Sequence, residues 1–189
     1  MKEVEILVEV LDNKNKILAS LKKFKFKGKK KTQDIYFFDH LRKNLQAKDG
    51  KILKEWFRIR KKNHENYITY KEDVFEKDKW THSHEYETKI QDLDVLKQII
   101  EKLGFKELIK INNIKHTYES PDYEIVLEEV EDLGLFLEVE KLKVRGNADI
   151  SRIRKEIRDF IESLKIKVCP DLNLGKPELL LKKKWGRKS

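Results

Sequence analysis

Residues 133–140 read LGLFLEVE, and from Leu135 onward the side chains alternate, with Leu135, Leu137 and Val139 on one side and Phe136, Glu138 and Glu140 on the other. A period of two is the signature of a strand, so both glutamates project from one face while the other face is apolar. The turn-like EDLG at 131–134 joins this strand to YEIVLEEV at 123–130, where Glu124, Val126 and Glu128 share a face. Two like charges side by side on a strand repel each other. A face built this way needs a compensating partner.

The same spacing recurs along the chain. EVEILVEV at 3–10 places Val4, Ile6, Val8 and Val10 on one side and Glu3, Glu5, Leu7 and Glu9 on the other. LKEWFRIR at 53–60 pairs Arg58 with Arg60, and the strand at 84–90 pairs Glu85 with Glu87. YITYKED at 67–73 follows the arginine strand through a hairpin turn at 61–66 and carries Lys71. One Glu-x-Glu in a chain that is 41% charged is ordinary solvated surface. Four pairs, each on its own strand with an apolar reverse, are not. Clustered carboxylates suit a hard divalent cation such as Mg²⁺ or Mn²⁺, with Glu128 as a further donor, and an arginine pair beside Lys71 suits a chain of phosphates.

Further strands are predicted at 33–39 (QDIYFFD) and within 105–118, giving about eight, and 41–51 reads as a polar connection. Short turns imply antiparallel pairing, and eight strands suffice to close a barrel. The apolar spacing of Ile17, Leu18 and Leu21 after Asp12 predicts a short helix. Leu93, Leu96, Ile99, Ile100 and Leu103, opened by Asp92 or Asp94 and ended by Gly104, predict a second. Ile150, Ile153, Ile157, Phe160, Ile161 and Leu164 predict a third over 150–164. Such helices cover the strands' apolar side, so the charged side faces solvent in an open sheet or the lumen of a barrel. The class is α+β, with one domain over 1–181 and a basic tail at 182–189.

The 189 residues carry 43 Lys+Arg against 34 Asp+Glu, a net +9. Lysine fills seven of the ten positions from Lys22 to Lys31, and Lys or Arg five of the seven from Lys182 to Lys188; without those twelve the remainder carries −3. Both stretches are expected to be solvated, a loop or short edge strand and a tail, apart from any site, and nucleic acid is not the expected partner. The single cysteine, Cys169, excludes an intramolecular disulfide and a cysteine-based zinc site. His82 and His84 are expected to be a surface pair, since the carboxylates already supply the ligands Mg²⁺ prefers. No glycine-rich phosphate loop is present, no apolar run approaches a membrane span, and no secretory signal opens the chain. A cytoplasmic protein with no membrane partner is the expectation.

Taken together the segments resemble the CYTH domain, the triphosphate tunnel metalloenzymes that include class IV adenylyl cyclases and thiamine triphosphatases. The resemblance runs from the acidic pair Glu3/Glu5 through QDIYF at 33–37, RIR at 58–60, TYK ending at Lys71, HEYE at 84–87 and EKLGF at 101–105 to LGLFLEVE, its most specific element. It implies an eight-stranded closed tunnel with its charges inward. It implies Mg²⁺ or Mn²⁺ held by Glu138, Glu140 and Glu3 or Glu5, supported by Glu85, Glu87 and Glu128, with Glu5, Glu138 and Glu140 at the reaction centre. It also implies a triphosphate gripped by Arg58, Arg60, Lys71 and Lys115: ATP, thiamine triphosphate or tripolyphosphate. Leu7 stands where the family's first strand has a lysine, Asn113 at a second basic position, and Glu128 where an aspartate is usual. Two lost cations weaken the phosphate grip, so a tunnel that binds polyphosphate or nucleotide with little turnover is the alternative reading.

Overall fold

The computed structural model describes residues 2–46, 53–77, 79–145, 147–172 and 174–186. Nine strands form one antiparallel sheet: β1 (Lys2–Glu3), β2 (Glu5–Glu9), β3 (Lys25–Phe38), β4 (Glu55–Lys62), β5 (Glu65–Glu76), β6 (Lys79–Ile90), β7 (Lys106–Glu119), β8 (Tyr123–Val130) and β9 (Gly134–Lys141). Their order is β1-β6-β5-β4-β3-β7-β8-β9-β2. Only Val4 separates β1 from β2, so the first pass of the chain stands at both ends of the order, pairing with β6 through Lys2 and Glu3 and with β9 through Glu5–Glu9. Eight passes therefore make a strongly curled tunnel closed through its first strand, as the sequence predicts.

The helices are α1 (Lys14–Leu21), α2 (Leu93–Lys102), α3 (Ile150–Ser163) and α4 (Lys176–Trp185). Asn13, Asp92 and Asp149 cap the first three, each side chain accepting from a backbone N–H three residues on. Val4, Ile6, Val8 and Val10 point outward with Ile125, Leu127, Leu137 and Val139, and α1 and α3 cover them through Ile17, Leu21, Ile157 and Ile161. α2 covers a second outer patch, Ile35, Phe37 and Ile59, through Ile100. Its predicted stripe is only partly used: Ile99 and Leu103 are exposed, because a ten-residue helix on a curved wall touches it along a narrow line. No described helix is long and apolar enough to cross a membrane.

Three features differ from the sequence reading. Lys25–Lys31 is not a loop but the first half of the fourteen-residue β3, paired with β7 throughout and with β4 only from Thr32. It is locally an edge, which the lysines protect, yet it continues into the centre of the sheet. The register slips between Phe26 and Gly28, where Gly28 has φ 135°, a conformation that favours glycine. Position 182 falls inside α4 rather than at the start of a tail; Leu180 and Leu181 are buried against Leu7, Tyr36, Trp56, Ile109, Ile111 and Phe136 on the inner side of the barrel. α4 thus closes one end of the tunnel. Residues 187–189 of the predicted tail and 47–51 of the predicted connection lie outside the described residues. His82 is buried rather than on the surface, with its ring 5.4 Å from that of His84.

Candidate functional site

Alternation along each strand sends the charged side chains into the lumen, where they line a cavity of about 370 Å³. Of the eleven residues singled out from the sequence, nine line it: Glu3, Glu5, Arg58, Arg60, Lys71, Glu85, Lys115, Glu138 and Glu140. Glu87 stands outside that lining, accepting from Thr69 Oγ1 at 2.8 Å, and Glu128 is fully buried behind it. Within the ring of eight passes β4 and β9 are four apart in either direction. The arginine pair and the Glu138/Glu140 pair therefore occupy facing walls.

On the acidic wall, register places like charges directly opposite one another. Glu140 is paired across the sheet with Glu5 on one side and Glu124 on the other. Burial, then the charges of Glu3, Glu5, Glu138 and Glu124, push the Glu140 carboxyl up to about 9. Burial raises Glu3 to about 7, with Lys71 pulling the other way and Glu5 and Glu85 adding to the rise. Glu138 goes in the opposite direction: burial would raise it, but Lys176 and Lys115 hold it well below the usual carboxylate range.

Two lysines fill the acidic wall from within. Lys71 Nζ lies 3.1 Å from Glu3 Oε2 and 3.0 Å from Glu5 Oε1. Lys176, on the first turn of α4, donates to Glu138 Oε2 and to Glu128 Oε1, the latter at 2.9 Å, and Lys115 reaches the same Glu128 oxygen at 2.9 Å. Lys71, expected to grip phosphate, is thus seated among carboxylates on β1 and β2. Lys176 was not legible as a site residue: it is one lysine among many, on a helix whose hydrophobic pattern is weak.

The facing wall is basic. Arg60 forms a two-pronged bond to Asp34, Nε to Oδ1 and Nη2 to Oδ2, both 2.7 Å. Burial would raise Asp34, but the charge and hydrogen bonds of Arg60, with Arg58, hold it well below the carboxylate range. Arg58 Nη1 is 3.8 Å from Asp34 and Nη2 3.6 Å from Glu85. The lysine-rich stretch also contributes, contrary to its expected separation from the site: Lys27 and Lys30 line the cavity with Lys62 and Lys115. Residues three apart face opposite ways on a regular strand; the bulge at Gly28 turns both inward.

Among the described residues no three His, Cys, Asp or Glu side chains converge as a ready ligand set. The donor chemistry nonetheless fits a hard cation: carboxylate oxygens in a like-charged row, one of them holding a proton that a divalent ion would displace. Glu3, Glu140 and Glu178, the last raised to about 7 chiefly by burial, have a testable consequence without metal. Groups whose folded pKa lies above the ordinary 4.5 stabilise fully below that pH and lose their contribution as pH rises through the folded value. The thermal midpoint of metal-free protein should therefore fall between pH 5 and 9, and Glu140→Gln should flatten its upper part; a flat wild-type profile by circular dichroism would contradict the carboxylate crowding.

The family described as the CYTH domain matches residues 1–168 of the chain. A Methanocaldococcus jannaschii protein named "Putative adenylate cyclase MJ0240" is 39% identical over 184 residues, 96% of this chain and 95% of its own. The PH1819 protein of Pyrococcus horikoshii OT3 has the same fold with a TM-score of 0.77 at 28% identity, covering 95% of this chain and 99% of that one. A Hippeastrum protein, HpAC1, described as showing a dominant triphosphatase activity, superposes with a TM-score of 0.62 at 15% identity, over 97% of this chain and 96% of its own, a likeness of fold alone. Lys176 and the whole of α4 lie beyond the end of the family match.

Proposed function

This chain belongs to the CYTH domain family, and on that premise we propose that it is a divalent-metal-dependent enzyme acting on a triphosphate compound. The supporting observation is the facing of two walls across one cavity, Glu3, Glu5, Glu138 and Glu140 on one and Arg58 and Arg60 on the other, with Lys115 on β7 between them. The basic wall binds the phosphate oxygens, with Lys27, Lys30 and Lys62 continuing it. Asp34 holds Arg60 in a fixed orientation, so that wall is set before substrate arrives. Glu138 and Glu140, with Glu3 and Glu5, would hold Mg²⁺ or Mn²⁺; Glu85 borders them, while Glu128 is engaged by two lysines and serves better as their counter-ion. The bound ion would supply charge neutralisation at the phosphates and a polarised phosphoryl oxygen.

The geometry serves either of two displacements at phosphorus, in which positioning and charge neutralisation do most of the work. In one, a ribose 3′ hydroxyl attacks the α-phosphorus and expels pyrophosphate, the reaction named for the M. jannaschii relative. In the other, water attacks the terminal phosphorus, its bridging P–O bond breaks, and phosphate and the diphosphate remainder are released. Incubating the protein with ATP, thiamine triphosphate or tripolyphosphate, with and without Mg²⁺ or Mn²⁺, and measuring cyclic AMP and phosphate separates them. No product above a Glu138→Gln control from any substrate would overturn the enzymatic reading.

One observation favours a second reading. Leu7, where a lysine is expected, is packed in the apolar cluster beneath α4, and the Asn113 amide is buried with no partner among the described residues for its oxygen or nitrogen. A tunnel short of these two cations would bind triphosphate and turn it over slowly; calorimetric binding without product identifies that case. Under either reading Lys176 competes with a divalent cation for Glu138. Lys176→Met should tighten Mn²⁺ binding in the absence of substrate while weakening tripolyphosphate binding, both read by calorimetry, and unchanged Mn²⁺ affinity would refute the competition.

A further inference from the structure

The tunnel has one weak line in its wall. β1 pairs with β6 only through Lys2↔His84 and Glu3↔Ser83, and from Glu5 the same pass pairs with β9 instead. Along this seam the ladder between the first pass and β6 stops, immediately beside Glu3 and Glu5. A side chain from outside the sheet crosses it. Arg154, on α3, is buried, and its Nη1 donates to Glu5 O at 3.1 Å and to Thr81 O at 3.2 Å, one carbonyl on each side of the seam. Its Nη2 donates to the Asp171 carboxylate, and its guanidinium carbon lies 5.7 Å from the centre of the Trp80 ring. Asp171 sits in a segment fastened along β2 by Cys169 N to Glu9 O and Leu172 N to Leu7 O.

A buried ion pair contributes little net stability compared with well-packed apolar side chains, so packing alone does not account for an arginine here. The two carbonyls do. One planar nitrogen with two hydrogens can satisfy both acceptors at once while Asp171 balances the charge, and a methyl-bearing side chain would leave both carbonyls facing a gap. Arg154 does not line the cavity. Its reach into the site is through the backbone of Glu5, and so through the placement of the Glu3 and Glu5 carboxylates relative to Glu140.

We infer that Arg154 is a positioning residue for the acidic wall: it replaces the missing ladder at the seam and fixes where Glu3 and Glu5 stand when a divalent cation is bound. This rests on the proposed metal dependence. The test compares wild type with Arg154→Met, Arg154→Lys and Asp171→Asn by three measurements: Mn²⁺ binding by calorimetry without substrate, tripolyphosphate binding without metal, and amide hydrogen exchange. Loss of a group that orients a ligand typically weakens metal binding about 10- to 100-fold. Arg154→Met should show a loss of that order, with faster exchange confined to residues 2–6 and 80–84 and unchanged metal-free tripolyphosphate binding on the far wall. Arg154→Lys should recover part of the exchange protection. Asp171→Asn, which keeps the arginine, should show the same pattern more weakly and serves if Arg154→Met does not fold. Unchanged Mn²⁺ affinity with a loosened seam would overturn the inference, as would an equal decline in all three measurements, the mark of a purely structural role. If wild type binds no Mn²⁺, the proposed function fails; exchange then decides whether Arg154 braces the seam, and unaltered exchange in Arg154→Met removes that as well.

Discussion

Arg60→Met is expected to destabilise the fold by about 3–5 kcal/mol, because it leaves the Asp34 carboxylate buried without its partner. For a chain of this length that corresponds to a fall in the thermal midpoint of roughly 6–20 °C. Arg58, 3.8 Å from Asp34, limits the loss without replacing the two-pronged bond. Replacing both members, Arg60→Met with Asp34→Leu, should recover most of the stability, since the desolvation of both charges is then avoided. The acid side of the profile carries the same information. A carboxylate held below its ordinary 3.8 stabilises above that value and loses its contribution as pH falls through the folded pKa. The double variant should therefore unfold less steeply in acid than wild type. Equal stability of wild type and Arg60→Met in denaturant titrations would refute this account.

Glu138→Gln is expected to lower kcat/KM by about 10²–10³-fold in whichever triphosphate reaction the protein performs, the usual scale for losing one preorganised group at a centre of developing charge. It also removes one of the two carboxylates that Lys176 contacts, so some stability is lost, less than in Arg60→Met. Lys176 keeps Glu128 as partner, and the amide can still accept from the ammonium. Glu87→Gln is the internal comparison: Glu87 was expected to support the metal, but it stands outside the cavity lining, bonded to Thr69 and 3.9 Å from Arg58, and since the amide can still accept from both, activity should remain within about threefold of wild type, ~0.5 kcal/mol. A Glu138→Gln enzyme with undiminished turnover would remove Glu138 from the mechanism.

What the sequence revealed and what it concealed follow from the range over which each feature is encoded. Alternation is local, so Glu138 and Glu140, Glu3 and Glu5, and Arg58 and Arg60 could be assigned to shared faces, while the apolar reverse of each strand left solvent or a lumen open for those faces and only the family resemblance pointed inward. The cross-strand row Glu5–Glu140–Glu124 depends on register across three strands, which no single segment specifies. Asp34 and Arg60 are 26 residues apart and meet only through the β3–β4 pairing. The lysines of β3 read as detached because a run of cations without an acid is ordinarily solvated; the bulge at Gly28 that turns Lys27 and Lys30 inward is a backbone event with a faint signal, one glycine in that run. The second half of α4, from Lys182, reads as a basic tail by composition, and the helix's role comes from Leu180 and Leu181 packing inside the barrel end.

The first strand also dictates a schedule. Its partner on one side, β9, is about 130 residues downstream, so during synthesis at roughly 5–20 residues per second Glu5–Glu9 must wait on the order of ten seconds before Phe136–Glu140 exists to receive it. Until then Glu5–Glu9 has α1 on its outward face but no strand beside it to pair with, and the tunnel cannot close. Its completion is a late and long-range step, in which a strand made early waits for one made late.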